Sequence, residues 1–128
     1  KEAKAISKDG FKIIASPWTA PPWMKDNNDW RGGKLLPEYN ESWALFFSKY
    51  IKAYQQEGID IWAVTVESEP LGNNNNWESM HYTPEEMTEF VQHHLGPTLE
   101  AEDLSDVKIL GYDQNRGEEL NKWADDKL

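Results

Sequence analysis

Three short apolar runs are separated by longer stretches of mixed polarity. The runs cover residues 11–15 (FKIIA), 59–66 (IDIWAVTV) and 107–112 (VKILGY). Because their apolar residues are nearly continuous rather than alternating, they predict strands that are buried on both faces. Between the first two runs, aromatic and apolar residues recur with helical spacing from Trp43 to Tyr54. This spacing predicts a helix with a wide aromatic buried face.

A second long helix is predicted to begin after Thr83. Thr83 is placed to cap it, Pro84 stands at the first helical position, and Glu86 completes a capping box. The Gly96-Pro97 pair predicts a kink near its end. Its buried face is predicted to comprise Met87, Phe90, Val91, Leu95 and Leu99.

Helical spacing also predicts helices at residues 1–8, capped by Gly10, and at residues 117–128. The complete order is therefore helix, strand, helix, strand, helix, strand, helix. Buried strands that alternate with helices form a parallel α/β sheet. No glycine-rich phosphate loop follows any of the three strands, which counts against a nucleotide-binding open sheet.

Polar and aromatic residues follow the end of each predicted strand. They are Ser16 and Trp18 after the first, Glu67 and Glu69 after the second, and Asp113 and Asn115 after the third. In a (β/α)8 barrel all strand carboxyl ends open onto one face, which carries the chemistry. The sequence therefore predicts an α/β fold, as a segment of a (β/α)8 TIM barrel with about three βα units.

Composition excludes several classes of function. The 13 Lys and Arg are outnumbered by 23 Asp and Glu, whereas binding nucleic acid without sequence preference needs a basic face. No apolar run approaches the roughly 20 residues of a transmembrane helix. The absence of Cys rules out disulfides, zinc–thiolate sites and thiol nucleophiles. The three His lack metal-ligand spacing, so neither a metal nor another cofactor is predicted.

Glu67 and Glu69 are two carboxylates separated by one residue at a strand end. If the strand persists, its two-residue period points them to the same side. Neighbouring carboxylates raise one another's pKa, and a carboxyl that stays protonated near neutral pH can act as a general acid. Pro70 ends the strand beside Glu69 and favours this interpretation. The alternative is a pair of solvated glutamates at a strand terminus.

Seven Trp are a large number for a hydrophilic chain of 128 residues. Core packing explains Trp43, Trp62 and Trp123, which lie in apolar segments. The other four lie in polar loops: Trp18, Trp23, Trp30 and Trp77. Indole rings offer flat apolar faces with a polar N–H, which suit sugar rings. Four such residues beside acidic strand ends indicate carbohydrate binding, with ordinary loop packing as the alternative for each.

Four segments carry a family resemblance: residues 16–25 (SPWTAPPWMK), 67–70 (ESEP), 95–99 (LGPTL) and 107–116 (VKILGYDQNR). They resemble glycoside hydrolase family 30, the family of glucosylceramidases and β-1,6-glucanases, in the family's order and over nearly the whole chain. The resemblance implies a glucosylceramidase-like retaining β-glycosidase. It also implies that residues 1–128 are a partial barrel domain around strands 3–5, truncated at both ends.

The resemblance implies roles for individual residues. Glu69 falls on the family's general acid/base, and Trp18 on a tryptophan that lines the glycone subsite. Asp113 lies near the substrate at a strand end, while Glu67 matches a polar position without a catalytic role. Ser68 stands where the family has an Asn that bonds the sugar 2-hydroxyl. Since such bonds strengthen in the transition state, we expect reduced catalytic power.

The family's nucleophile is a Glu at the end of strand seven. Three further βα units of about 30 residues would separate it from Glu69, which is more than remains in this chain. We therefore expect the second carboxyl to lie outside these residues. The chain alone is expected to be inactive, and its natural partner is the remainder of its own barrel.

Two classes of function stay open at this point. A retaining β-glycosidase would act on a carbohydrate or glycolipid such as a β-1,6-glucan or glucosylceramide, or on xylan, since the family includes xylanases. The alternative is a non-catalytic carbohydrate-binding remnant, in which Ser68 marks lost chemistry. Secretion or a periplasmic location is an expectation from the family alone.

Overall fold

Three short parallel strands form the sheet of the computed structural model, which describes residues 1–7, 10–72 and 75–115. Their order in the sheet follows their order in the chain. Both neighbouring pairs are parallel, so the predicted parallel α/β arrangement is confirmed. The strands are β1 (Ile14–Ala15), β2 (Ala63–Thr65) and β3 (Lys108–Leu110).

Single backbone hydrogen bonds continue the sheet beyond these short strands. On the amino side, the Trp62 N–H donates to the Ile13 carbonyl at 2.9 Å, and the Lys108 N–H donates to the Trp62 carbonyl at 3.0 Å. On the carboxyl side, the Val66 N–H donates to the Leu110 carbonyl at 3.3 Å. The paired segments are therefore longer than the regular strands, and they fall within the three predicted apolar runs.

Only the central strand is buried on both faces. Every residue of β2 is buried, whereas Ile14 in β1 is 48 % exposed and Lys108 in β3 is also exposed. The prediction of two-sided burial is therefore right for β2 and wrong for β1 and β3. The reason is their position, because β1 and β3 are the two edges of the described sheet.

Four α-helices occur in the described part of the chain. The first ends at Ile6 and its cap residue is the extended Ser7, so the prediction of Gly10 as its cap is wrong. The helix predicted at residues 117–128 lies outside the described residues. The helices are α1 (Glu2–Ile6), α2 (Asn40–Gln56), α3 (Pro84–Phe90) and α4 (Gly96–Ala101), with a π-helical segment (Val91–Leu95) between the last two.

The aromatic face of α2 is only partly covered. Trp43, Phe47 and Ile51 are buried as predicted, but Phe46 and Tyr54 are 49 % and 39 % exposed. Phe46 stacks on Trp43 with ring centroids 5.0 Å apart. The predicted face is therefore wider than the surface that the described sheet covers. Beside it lies an open groove of about 430 Å³, lined among others by Ala15, Pro17, Trp30, Phe46 and Tyr50.

The capping box predicted at the start of α3 is confirmed. Thr83 Oγ1 accepts from the Glu86 N–H at 3.2 Å, and Glu86 Oε2 accepts from the Thr83 N–H at 2.8 Å. The kink predicted at Gly96-Pro97 takes the form of the π-helical segment just before it. There the Gly96 N–H donates to the Val91 carbonyl, five residues back. Pro97 has no N–H, so the regular α-helical pattern cannot continue through it.

Side chains from α2, α3 and α4 join those of β2 in one core. The core's larger buried members include Trp43, Phe47, Ile51, Val64, Met80, Met87, Phe90 and Leu95.

None of the helices within residues 1–7, 10–72 and 75–115 is long and apolar enough to cross a membrane.

Candidate active site

The carboxyl end of β2 is held between the loops that follow its two neighbours. The Ser68 N–H donates to the Pro17 carbonyl at 2.8 Å, and the Glu69 N–H donates to the Asp113 carbonyl at 2.7 Å. Ser68 and Asp113 also form an isolated parallel bridge. The structure thus brings Ser68, Glu69 and Asp113 together at one edge of the sheet, with Trp18 next to Pro17 in the chain.

Glu69 adopts a left-handed backbone conformation, with φ at 55°. This conformation costs a residue other than Gly about 1–3 kcal/mol, and it persists only where the surroundings enforce it. Besides the bond from its N–H, its carbonyl accepts from the Gly72 N–H at 2.7 Å. Asn115 Nδ2 donates to its Oε1 at 3.4 Å. The half-buried side chain is therefore held through both its backbone and its carboxylate.

Glu67 and Glu69 have different surroundings. The extended conformation does not persist to Glu69, so the two-residue period of a strand does not set the relation between the two side chains. Glu67 is fully buried, whereas Glu69 is partly exposed. The alternative of two solvated glutamates is therefore wrong for Glu67.

Three consecutive polar residues after β3 support the end of β2. Asp113 Oδ2 accepts from Thr65 Oγ1 at 3.2 Å, and Gln114 Oε1 accepts from the Leu71 N–H at 3.2 Å. Asn115 reaches the candidate acid as described above. Sequence reasoning singled out Asp113 but missed the supporting roles of Thr65, Gln114 and Asn115. The available signal was an unbroken polar run immediately after the apolar run 107–112.

Two of the four loop tryptophans form an exposed pair. Trp18 and Trp77 meet edge to face, with ring centroids 6.2 Å apart and ring planes at 83°. They are 41 % and 45 % exposed. Trp23 packs against Tyr39 with centroids 5.3 Å apart, and Trp30 lines the groove beside α2. The structure therefore pairs two of the predicted sugar-binding rings rather than gathering all four.

A buried ionisable cluster, formed by Lys25, Glu67 and Tyr82, lies at the same strand end. Burial raises the pKa of the Glu67 carboxyl well above its usual value, the Lys25 charge opposes this, and the Asp113 charge adds to it. Burial lowers the pKa of the Lys25 ammonium, and the Glu67 charge opposes that shift most strongly. Burial and the Glu67 charge raise the pKa of the Tyr82 hydroxyl well above its usual value. Sequence reasoning did not identify Lys25 or Tyr82.

Within the described ranges, no group of three His, Cys, Asp or Glu side chains is placed to hold a metal ion. The His94 ring stacks on Phe90 with centroids 6.2 Å apart, and its Nε2 lies 3.4 Å from Asn40 Nδ2. Through these contacts His94 packs the π-helical segment against the start of α2.

Parallel strands alternating with helices, with a carboxylate held at a strand end, are typical of the barrel glycoside hydrolases. The model of the glycosyl hydrolase family 30 TIM-barrel domain matches residues 1–128. The chain belongs to this family, and the prediction made from its motifs is confirmed.

Individual relatives agree with the family assignment. Lysosomal acid glucosylceramidase of Mus musculus is 36 % identical over 132 residues, which cover 97 % of this chain and 25 % of the relative. The solved endo-β1,6-glucanase BT3312 is 42 % identical with a TM-score of 0.77, covering 83 % of this chain and 25 % of its own. SrfJ from Salmonella typhimurium is 35 % identical with a TM-score of 0.85, covering 91 % and 26 %. The chain therefore spans about a quarter of the length of these relatives.

Proposed function

We propose that residues 1–128 form strands 3–5, with their helices, of the catalytic barrel of a retaining β-glycosidase in which Glu69 is the general acid/base. One observation carries the proposal. Glu69 lies at the end of the central strand, in a left-handed conformation that is supported by a hydrogen bond from its N–H to the Asp113 carbonyl and by bonds that it accepts from Gly72 and Asn115. Non-Gly residues held in this way cluster at active sites, because the neighbouring structure must offset the strain.

The proposed reaction proceeds in two displacements. Glu69 donates a proton to the glycosidic oxygen while a second carboxylate, outside these residues, attacks the anomeric carbon and forms a glycosyl–enzyme intermediate. Glu69 then takes a proton from the water that hydrolyses this intermediate. Because each of the two displacements inverts the anomeric carbon, the β configuration is retained. Because the Asn115 amide donates to Oε1, the transferable proton belongs on the other carboxylate oxygen. The two carboxyls of such enzymes stand about 5–5.5 Å apart.

The proposed sugar-binding residues are the exposed tryptophan pair and two polar residues beside Glu69. We assign the exposed Trp18 ring to the glycone and its partner Trp77 to the adjoining sugar or aglycone, since flat indole faces suit apolar sugar faces. Asp113 and Ser68 are the proposed polar contacts. Ser68 is 8 % exposed, and its short side chain reaches less far toward the 2-hydroxyl than an amide would.

We place the substrate among β-glucosides, either a glycolipid or a β-glucan. Support comes from two of the relatives described above, a glucosylceramidase and an endo-β1,6-glucanase by their names. We propose that the protein is exported, either out of the cell or into a compartment such as the periplasm or the lysosome. The mouse relative is by its name lysosomal, which broadens the family expectation of a secreted or periplasmic enzyme.

The test uses the full-length protein that contains these residues, assayed on glucosylceramide, β-1,6-glucan, xylan and an aryl β-glucoside. Glu69→Gln should lower kcat/KM about 10²–10⁴-fold on substrates with poor leaving groups, the usual contribution of general acid catalysis. On an aryl β-glucoside with an activated leaving group, azide should restore turnover and yield a β-glycosyl azide, because the small anionic nucleophile replaces the base-assisted water in the second displacement. Glu89→Gln, an exposed carboxylate on α3, is the matched control and should leave turnover unchanged.

Two other outcomes would contradict the proposed function. A Glu69→Gln variant with unchanged turnover would contradict the assigned acid/base. A wild-type protein that binds β-glucan, with quenching of Trp fluorescence, but turns over none of the four substrates would instead support a carbohydrate-binding remnant. The exposed Trp18–Trp77 pair is the observation that favours this second function.

A further inference from the structure

The buried Lys25–Glu67–Tyr82 cluster has no part in the proposed two-displacement reaction, yet its burial is complete. Glu67 is 0 % exposed and Lys25 is 3 % exposed. Neither carboxylate oxygen of Glu67 nor the hydroxyl of Tyr82 has a hydrogen-bond partner among the described residues. Burying charged groups is costly unless opposite charges compensate, so a buried Lys and Glu facing each other need a reason.

Lys25 connects three segments of the chain. Its backbone pairs with Leu35 in an antiparallel bridge, and its Nζ donates to the Ser79 carbonyl at 2.8 Å. Its charge opposes the rise that burial causes in the pKa of the Glu67 carboxyl at the end of β2. Lys25 therefore ties the loop after β1 to the loop after β2, and its charge acts on the end of β2.

Ser79 carries this connection to the tryptophan pair. Its N–H donates to the Trp30 carbonyl at 3.0 Å, and its Oγ accepts from the Gly32 N–H at 2.9 Å. Ser79 is fully buried and lies two residues after Trp77, whose ring meets Trp18. Lys25 thus anchors the loop that presents one of the exposed rings.

Glu69 is bracketed by the same cluster. Glu67 precedes it by two residues, and the Lys25 charge acts on the pKa of the Glu67 carboxyl. Pro70 follows it directly, and the Pro70 carbonyl accepts from the Tyr82 N–H at 3.1 Å. Both chain directions away from the left-handed residue therefore lead to members of the cluster.

We propose that Lys25, Glu67 and Tyr82 are positioning residues that hold Glu69 in the orientation required for proton donation to the leaving group. The inference rests on the proposed glycosidase function. It assigns these three residues no contact with substrate. Their contribution is to fix the backbone on either side of Glu69, so that the carboxyl meets the glycosidic oxygen rather than sampling other directions.

The test exploits the leaving group, because acid assistance matters only when the leaving group is poor. In the full-length protein, kcat/KM is measured on 2,4-dinitrophenyl β-glucoside, which departs without a proton, and on 4-methoxyphenyl β-glucoside, which needs one. Lys25→Met and Glu67→Gln should each lower kcat/KM at least tenfold on the poor leaving group and less than threefold on the activated one. Because each ratio is taken within one preparation, it is independent of the folded fraction.

Three comparisons make the result decisive. Lys34→Met removes a lysine of the same loop whose partner is the partly exposed Glu86, and it should leave the ratio unchanged. The Lys25→Met/Glu67→Gln double variant leaves neither charge unpaired, so its loss should be smaller than the product of the two single losses. It also supplies the ratio if a single variant does not fold.

Equal losses of Lys25→Met and Glu67→Gln on both glucosides, or no loss, would overturn the positioning role. Glu69→Gln separates this failure from that of the proposed function. If Glu69→Gln itself shows no leaving-group dependence, the acid assignment is wrong. If Glu69→Gln shows it and the cluster variants do not, only the positioning role is wrong.

Discussion

At the scale of single residues, the site depends on one strained conformation and the bonds that enforce it. The positive φ of Glu69 is accompanied by a bond from its N–H to one neighbouring loop and a bond to its carbonyl from Gly72. The amide of Asn115 adds a contact at the carboxylate. Removing any one of these partners would leave the strain less well offset, so we expect the proposed role of Glu69 to depend also on Gly72 and Asn115, for which no substrate contact is proposed.

Ser68→Asn tests the predicted departure of this chain from the family's motif. The Ser68 backbone is fixed by its bond to Pro17 at 2.8 Å, so a longer side chain at this position would extend from a defined origin. We expect kcat/KM on β-glucosides to rise about tenfold in the full-length protein, equivalent to about 1.4 kcal/mol of transition-state stabilisation. Ser105→Asn, at an exposed turn, should change nothing. An unchanged or lower kcat/KM for Ser68→Asn would contradict the expectation.

The sequence predicts some of these residues and not others, for a physical reason. Glu69 and Asp113 directly follow apolar runs, and parallel strands bring their carboxyl ends to one edge, so local pattern suffices to group them. Lys25 meets Ser79 across 54 positions of the chain. That contact depends on how two irregular loops fold against each other, which no periodicity encodes.

At the scale of elements, the segment from α3 to α4 shows how one proline and one glycine reshape a helix. The capping box starts α3 as its sequence predicts, since that signal involves only four neighbouring residues. The π-helical turn was predicted only as a kink, because Pro97 removes a donor without determining how the preceding turn adapts. Gly96 permits the adaptation, as a Cβ there would lie 2.9 Å from the Val91 carbonyl oxygen.

Gly96→Ala is expected to destabilise the full-length protein despite the higher helix propensity of Ala. Propensity alone would favour Ala by about 1 kcal/mol. The added Cβ is fixed to its own backbone and would press against the backbone oxygen of Val91. The π-helical turn must therefore shift to relieve this contact, at a cost of about 1–3 kcal/mol. Urea unfolding should therefore show a lower midpoint for Gly96→Ala, while Gln92→Ala, exposed in the same turn, stays within about 0.5 kcal/mol. A midpoint at or above wild type for Gly96→Ala would show that the turn relaxes freely.

At the scale of the whole molecule, the exposed surfaces match the places where a barrel would continue. Within residues 1–7, 10–72 and 75–115 neither edge strand has an outer neighbour, and Ile14 is half-exposed on one of them. The groove between β1 and α2 is lined largely by apolar and aromatic side chains. The chain order of helices and parallel strands could be predicted from apolar periodicity. The exposure of the edges could not, because continuous apolar runs indicate what a strand needs to bury rather than which chain segment covers it.

Phe46→Ala measures whether the remainder of the barrel covers this groove. Phe46 is 49 % exposed here and stacks on Trp43. If further βα units pack over it in the full-length protein, truncation removes a buried aromatic ring and should lower the free energy of unfolding by about 3–5 kcal/mol. Lys49→Ala, one turn along α2 and exposed, should change it by less than about 0.5 kcal/mol. A loss below about 1 kcal/mol for Phe46→Ala would mean that the ring stays in water, and that this face of α2 is an outer surface of the protein.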